Sequence, residues 1–199
     1  MDPPVIRTSA ESNDYLAKAE KLSLKLIEKQ AQGETLTEAE KDDLREAANI
    51  FKGIIAFEPR RFAPYYGEGR IRYALGDYQA AVDLMFQCIQ LAPPPKPKPP
   101  IEVVQMVADA HYISSRSLFF LKRYETAARA AELALTLAPS SPDYAVAWAA
   151  AELELKNETK AEGLVMQALL LDPGHKEALR LAKFLNMDLK GLPAGRKVN

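Results

Sequence analysis

Apolar residues recur at helical spacing and in a common register along most of this chain. Ala81, Met85, Cys88 and Ile89 fall at i, i+4, i+7 and i+8, which places them on one stripe of a helix. Pro93 follows, and a proline cannot continue a helix, so the stripe predicts a helix that ends in a turn. The same arrangement recurs before Pro59, Pro139 and Pro173, with successive gaps of 34, 46 and 34 residues. Twelve residues ahead of each proline stands an alanine, namely Ala47, Ala81, Ala127 and Ala161. Two residues ahead stand Phe57, Leu91, Leu137 and Leu171, and five ahead stand Ile54, Cys88, Ala134 and Ala168. A small residue at a fixed point of an apolar stripe predicts a close crossing of two helix backbones, where a larger side chain costs about 1–3 kcal/mol.

A period of this length means stacked helical pairs. The best-preserved copy runs from Phe62 to Pro93 and holds Tyr65, Gly69, Gly76-Asp77-Tyr78, Ala81 and Pro93, a spacing that resembles the tetratricopeptide repeat. Lys122-Arg123-Tyr124 and Asn157-Glu158 stand at the corresponding turns, with Ser115 and Ala149 at the small position. The resemblance implies an all-α chain, a right-handed α-solenoid of antiparallel helix hairpins closed by a C-terminal capping helix.

The predicted organisation follows the register. Residues 1–13 are expected to be a flexible N-terminus, and 14–61 a degenerate helical hairpin. Its first helix should end at Gly33, and its second should start at Thr37, which has capping-box spacing with Glu40. Repeats are expected at 62–95, 108–141 and 142–175. Residues 96–107 hold the end of the run Pro93-Pro-Pro-Lys-Pro-Lys-Pro-Pro100 and a helix extension. The run itself reads as an extended, polyproline-like spacer, with an SH3-type ligand as the other reading. A capping helix at 176–190 and a disordered tail at 191–199 complete the chain.

Composition narrows the function. The chain has 199 residues, 27% of them charged, with a net charge of −1. A nucleic-acid binder needs a concentrated excess of Lys and Arg, which this balance lacks. No apolar window is long enough to predict a membrane span or a signal peptide, so the expected location is the cytoplasm, without membrane insertion. The single cysteine, Cys88, lies on an apolar stripe and reads as a buried filler. His111 and His175 are 64 residues apart with no acidic or cysteine partner at ligand spacing, so no metal, cofactor or catalytic residue is expected. His111 stands at a packing position and His175 at a helix start.

The candidate site is a second recurrence. Tyr66, Arg70 and Tyr73 lie on one face of the first helix of their repeat, and Tyr112, Arg116 and Phe119 occupy the same places 46 residues on. Family resemblance implies that first helices line the concave side of the superhelix. Aromatic planes beside guanidinium groups would stack on a guest chain and bind its carboxylates. The six residues therefore predict a groove for a peptide or protein with acidic or C-terminal carboxylate groups. The competing reading pairs these arginines with acids of the chain itself and packs the aromatics between repeats. The third repeat departs from the pattern with Val146, Ala150 and Leu153.

The expected function is a non-catalytic scaffold or adaptor. Two alternatives stand beside it. The stretch from Arg61-Phe62 to Tyr78 also resembles class II type III secretion chaperones. A self-assembling scaffold, in which a neighbour's N-terminal hairpin fills the groove, leaves a homo-oligomer open.

Overall fold

The computed structural model describes residues 2–93 and 99–189. The described residues form helices and turns, with no strand. The chain divides into two compact units at Pro99/Pro100, and each is built from hairpins of antiparallel helices.

In the first unit, α1 (Ser9–Ala31) pairs with α2 (Glu38–Phe57), and α3 (Phe62–Ala74) pairs with α4 (Tyr78–Leu91). Helix α3 packs on both helices of the first hairpin. The turn between α1 and α2 has a clear cause. Gly33 adopts φ +85°, which lets the Gly33 and Glu34 N–H groups reach the carbonyls of Gln30 and Lys29 and close the end of α1. Thr37 then caps α2: its hydroxyl accepts the Glu40 N–H at 3.2 Å, and the Glu40 carboxylate accepts the Thr37 N–H at 2.8 Å. Leu44, Ala47, Phe51, Ile54 and Ile71 form the buried centre of this unit.

The first helix starts earlier than expected, within residues 1–13. Helix α1 begins at Ser9, five residues before the expected Asp14. Thr8 and Glu11 repeat the spacing of Thr37 and Glu40: the Thr8 hydroxyl accepts the Glu11 N–H at 3.2 Å, and the Glu11 carboxylate accepts the Arg7 N–H at 2.8 Å. Ile6 is buried in the core of the unit. Pro4 lies so close to Gly53 on α2 that a Cβ there would stand 2.7 Å from the Pro4 carbonyl oxygen.

In the second unit, α5 (Ile101–Phe120) pairs with α6 (Tyr124–Leu137), and α7 (Pro142–Glu154) pairs with α8 (Glu158–Leu171). Helix α9 (Lys176–Phe184) packs on α8 and α7, and α7 packs on α5. The expected capping helix over 176–190 is shorter than the sequence suggested, because Asn186 turns the chain at φ +54°. Pro94–Lys98 and residues 190–199 lie outside the described residues, as do the polyproline spacer and disordered tail expected there.

The four register alanines, Ala47, Ala81, Ala127 and Ala161, are fully buried, as is Ala149, and Ser115 is only 1% exposed. At Gly69 an added Cβ would meet the Met85 terminal methyl at 2.6 Å, so α3 and α4 touch where the small residue was expected. The hairpin turns share one geometry. Gly76, Lys122 and Lys156 all take positive φ, and each first helix ends with the same pair of backbone hydrogen bonds.

Candidate functional site

Helix α3 presents Tyr66, Arg70 and Tyr73 on one face, each partly buried. The Arg70 guanidinium lies over the Tyr66 ring at 5.5 Å, and Tyr73 meets Tyr78 of α4 with ring centroids 5.9 Å apart. Among the described residues Arg70 has no carboxylate partner, so its charge is held by the aromatic face alone. The neighbouring Arg72 is different. It grips the buried Glu68 through two donors at 3.0 and 3.2 Å and reaches Asp77 at 3.6 Å. Burial pushes the Glu68 carboxyl above its ordinary pKa despite Arg72, so this pair belongs to the packing of α3.

The corresponding residues of α5 are committed inside their own unit. Tyr112 stacks on Tyr144 of α7 with centroids 5.1 Å apart. Arg116 pairs with Glu177 of α9 at 3.2 Å and lies 5.8 Å from the centre of the Phe120 ring. Phe119 meets Phe120 and Tyr124 edge-on. The six predicted residues therefore divide three to each unit, and only the α3 set keeps an arginine without an acid. On α5 the competing expectation, an intramolecular acid for the arginine, describes Arg116.

Three acidic residues that the sequence reading passed over connect the first helices of the second unit. Asp109, Asp143 and Glu177 follow one another at intervals of 34, the repeat period itself, and that spacing was the available signal. Asp109 accepts the Tyr144 hydroxyl, which joins α5 to α7. Asp143 meets His175 Nε2 at 3.1 Å, which joins α7 to the start of α9. His175 Nδ1 in turn accepts the Ala178 N–H at 3.2 Å and caps α9, at the helix start where the sequence placed it.

A further polar cluster lies at the α7–α8 turn around the buried Glu152. Trp148 Nε1 donates to it at 2.8 Å, Asn157 Nδ2 at 2.6 Å and Lys160 Nζ at 2.8 Å, while Lys160 also sits 4.5 Å over the Trp148 ring. Burial, the largest influence, pushes the Glu152 pKa up. The three hydrogen bonds together outweigh burial and hold it below the ordinary carboxylate range. Cys88 is fully buried, and burial pushes its thiol up to about 12, which removes it as a nucleophile in the folded chain. His111 is partly buried and its pKa is pushed down by burial. Among the described residues no cluster of His, Cys, Asp and Glu could hold a metal ion, and no helix is long and apolar enough to cross a membrane.

Known proteins share this fold. No protein-family model and no curated protein matches the chain. Solved structures do. One is MamA from residue 41 onward of Desulfovibrio magneticus RS-1, 21% identical over 85% of this chain and 84% of that one, with a TM-score of 0.62. Another MamA crystal structure is 15% identical over 89% and 82%, with a TM-score of 0.68. A thermophilic TPR protein of Thermus thermophilus is 15% identical over 88% and 98%, with a TM-score of 0.55.

Proposed function

From the premise that this chain has the tetratricopeptide-repeat fold, we propose that it is a non-catalytic protein-interaction scaffold that takes a partner polypeptide on the Tyr66–Arg70–Tyr73 face of α3. The observation that carries this reading is the state of Arg70. Its register equivalent, Arg116, engages a carboxylate of the same unit, whereas Arg70 is stacked on Tyr66 with no acid beside it among the described residues. A guanidinium pre-oriented on an aromatic plane loses little further freedom when a carboxylate arrives, so the face favours acidic side chains or a C-terminal carboxylate on the guest.

The state of the thiol and of one histidine fits the scaffold reading: Cys88 is fully buried, and His175 caps α9.

The test begins with affinity capture from the native cell, followed by anisotropy titrations of labelled peptides tiled across the captured protein. Arg70→Glu should weaken the bound peptide about tenfold or more, since a charge-assisted hydrogen bond contributes roughly 1.5–3 kcal/mol. The helical circular-dichroism signal should stay intact. An unchanged affinity would remove the α3 face from this reading.

A further inference from the structure

Helix α9 has one face that unit packing uses and one that it does not. Ala178 and Ala182 are fully buried, with Leu181 and Leu185 packed against the core beside them. On the opposite side Lys176, Arg180 and Lys183 recur at i, i+4 and i+7, all exposed and none with a carboxylate partner among the described residues. Leu179 and Phe184 flank them, 39% and 74% exposed. Helix α9 itself carries three basic residues against one acidic residue, Glu177, which is paired with Arg116.

The register gives this face a meaning. Lys183 stands where α3 has Gly69, which meets Met85 of its partner helix α4, and where α7 has the fully buried Ala149. A lysine there holds off an alanine-lined helix, since its long stem and hydrated ammonium cannot enter a close backbone crossing. The same side chain suits a helix that brings carboxylates.

We propose that this face of α9 is a docking surface for an acidic amphipathic helix of a partner protein. Carboxylates at i, i+4 and i+7 would meet Lys176, Arg180 and Lys183, and apolar side chains would cover Leu179 and Phe184. The layout favours a helix over a lipid surface. Leu179 and Phe184 are five positions apart, so at 3.6 residues per turn they lie on opposite edges with the cations between them. A helix that rests in a bilayer interface has the reverse layout, an apolar centre with cations on the polar side. A second copy of this chain fits less well. Among the described residues its acidic run on α2 is paired except at Asp43, with Glu38 on Lys41 at 2.7 Å, Glu40 on Lys29 at 2.7 Å, Asp42 on Arg45 at 2.5 Å and Glu46 on Lys18 at 2.8 Å.

The test titrates the full chain with a labelled synthetic helix about three heptads long that carries glutamates at i, i+4 and i+7 and leucines on both flanks. Binding should saturate at one peptide per chain and weaken as salt rises. Lys176→Glu with Lys183→Glu should weaken it about tenfold or more, Lys183→Arg should retain it, and Phe184→Ala should weaken it about threefold to tenfold. Arg70→Glu should leave it unchanged, which separates this site from the α3 face. Four results would overturn the proposal: no binding, binding indifferent to Phe184→Ala, equal binding of a scrambled peptide, or tighter binding to phosphatidylglycerol vesicles than to the helix. A concentration-dependent doubling of mass that Lys183→Glu abolishes would assign the face to a second copy instead, and would overturn it too.

Discussion

Arg116 of α5 and Glu177 of α9 are 61 positions apart and form an ion pair at 3.2 Å. The two helices do not pack on each other; each packs on α7, so the pair spans the helix between them. Small side chains make this reach sterically feasible, since the α7 position equivalent to Arg116 is Ala150. The pair therefore ties the last helix of the unit to the first.

Breaking that tie should have a modest effect. Both side chains are partly exposed, and such pairs contribute about 0–1 kcal/mol. Glu177→Arg should lower the melting temperature slightly by setting like charges together, and Arg116→Glu in the same chain should restore it. A double-mutant cycle by thermal denaturation gives the coupling, and a coupling of zero would mean the contact contributes nothing in solution.

Two glycines make opposite predictions. An added Cβ at Gly67 would stand 2.3 Å from Cζ of the fully buried Phe51, so Gly67→Ala should destabilise by about 1–3 kcal/mol. Gly163 lies within α8 with nothing within 4 Å of such a Cβ, so Gly163→Ala should stabilise by about 0.5–1 kcal/mol. Urea denaturation of both variants tests the two signs together.

The hairpin turns at Lys122 and Lys156 hold ordinary residues at φ +59° and +66°. Gly76 fills the same role in the first unit without that penalty. Lys122→Gly and Lys156→Gly should each stabilise by about 0.5–1 kcal/mol, because left-handed backbone costs a lysine more than a glycine. A fall in the denaturation midpoint would show that the lysine side chains contribute more than their backbones cost.

Acid should loosen the α7–α8 turn. Glu152 has a folded pKa below the ordinary value, so its stabilising effect is complete above the unfolded value, about 4.3, and declines as pH falls through the folded one. Trp148 donates to Glu152 and is the single tryptophan, so its fluorescence reports the change directly. Glu152→Gln should remove that acid response below about pH 5 and lower stability at neutral pH. A response that persists in the variant would place the titrating group elsewhere.

Ala127 sets a tight constraint on the second unit. It is fully buried on α6, the helix that packs along α5, and a side chain as large as tryptophan would overpack that contact. Ala127→Trp should unfold or loosen this hairpin, with the loss visible as a lower helical circular-dichroism signal and melting temperature. An unaltered melting temperature would contradict the register from which the fold was read.

The sequence by itself determined the helices, their crossings and their turns. Period, stripe and punctuation are local, and Ala47, Ala81, Ala127 and Ala161 are buried because a helix carries its spacing wherever it packs. The sequence also held two signals that went unread, the Thr8–Glu11 cap and the 34-residue interval of Asp109, Asp143 and Glu177. The partner of each polar side chain was decided only by tertiary structure. Arg70 and Arg116 are indistinguishable in pattern, yet one finds Glu177 and the other finds no acid among the described residues, because an ion pair depends on which distant helix the packing brings within about 4 Å. Periodicity fixes the face on which a side chain stands; what stands opposite that face is set by the fold.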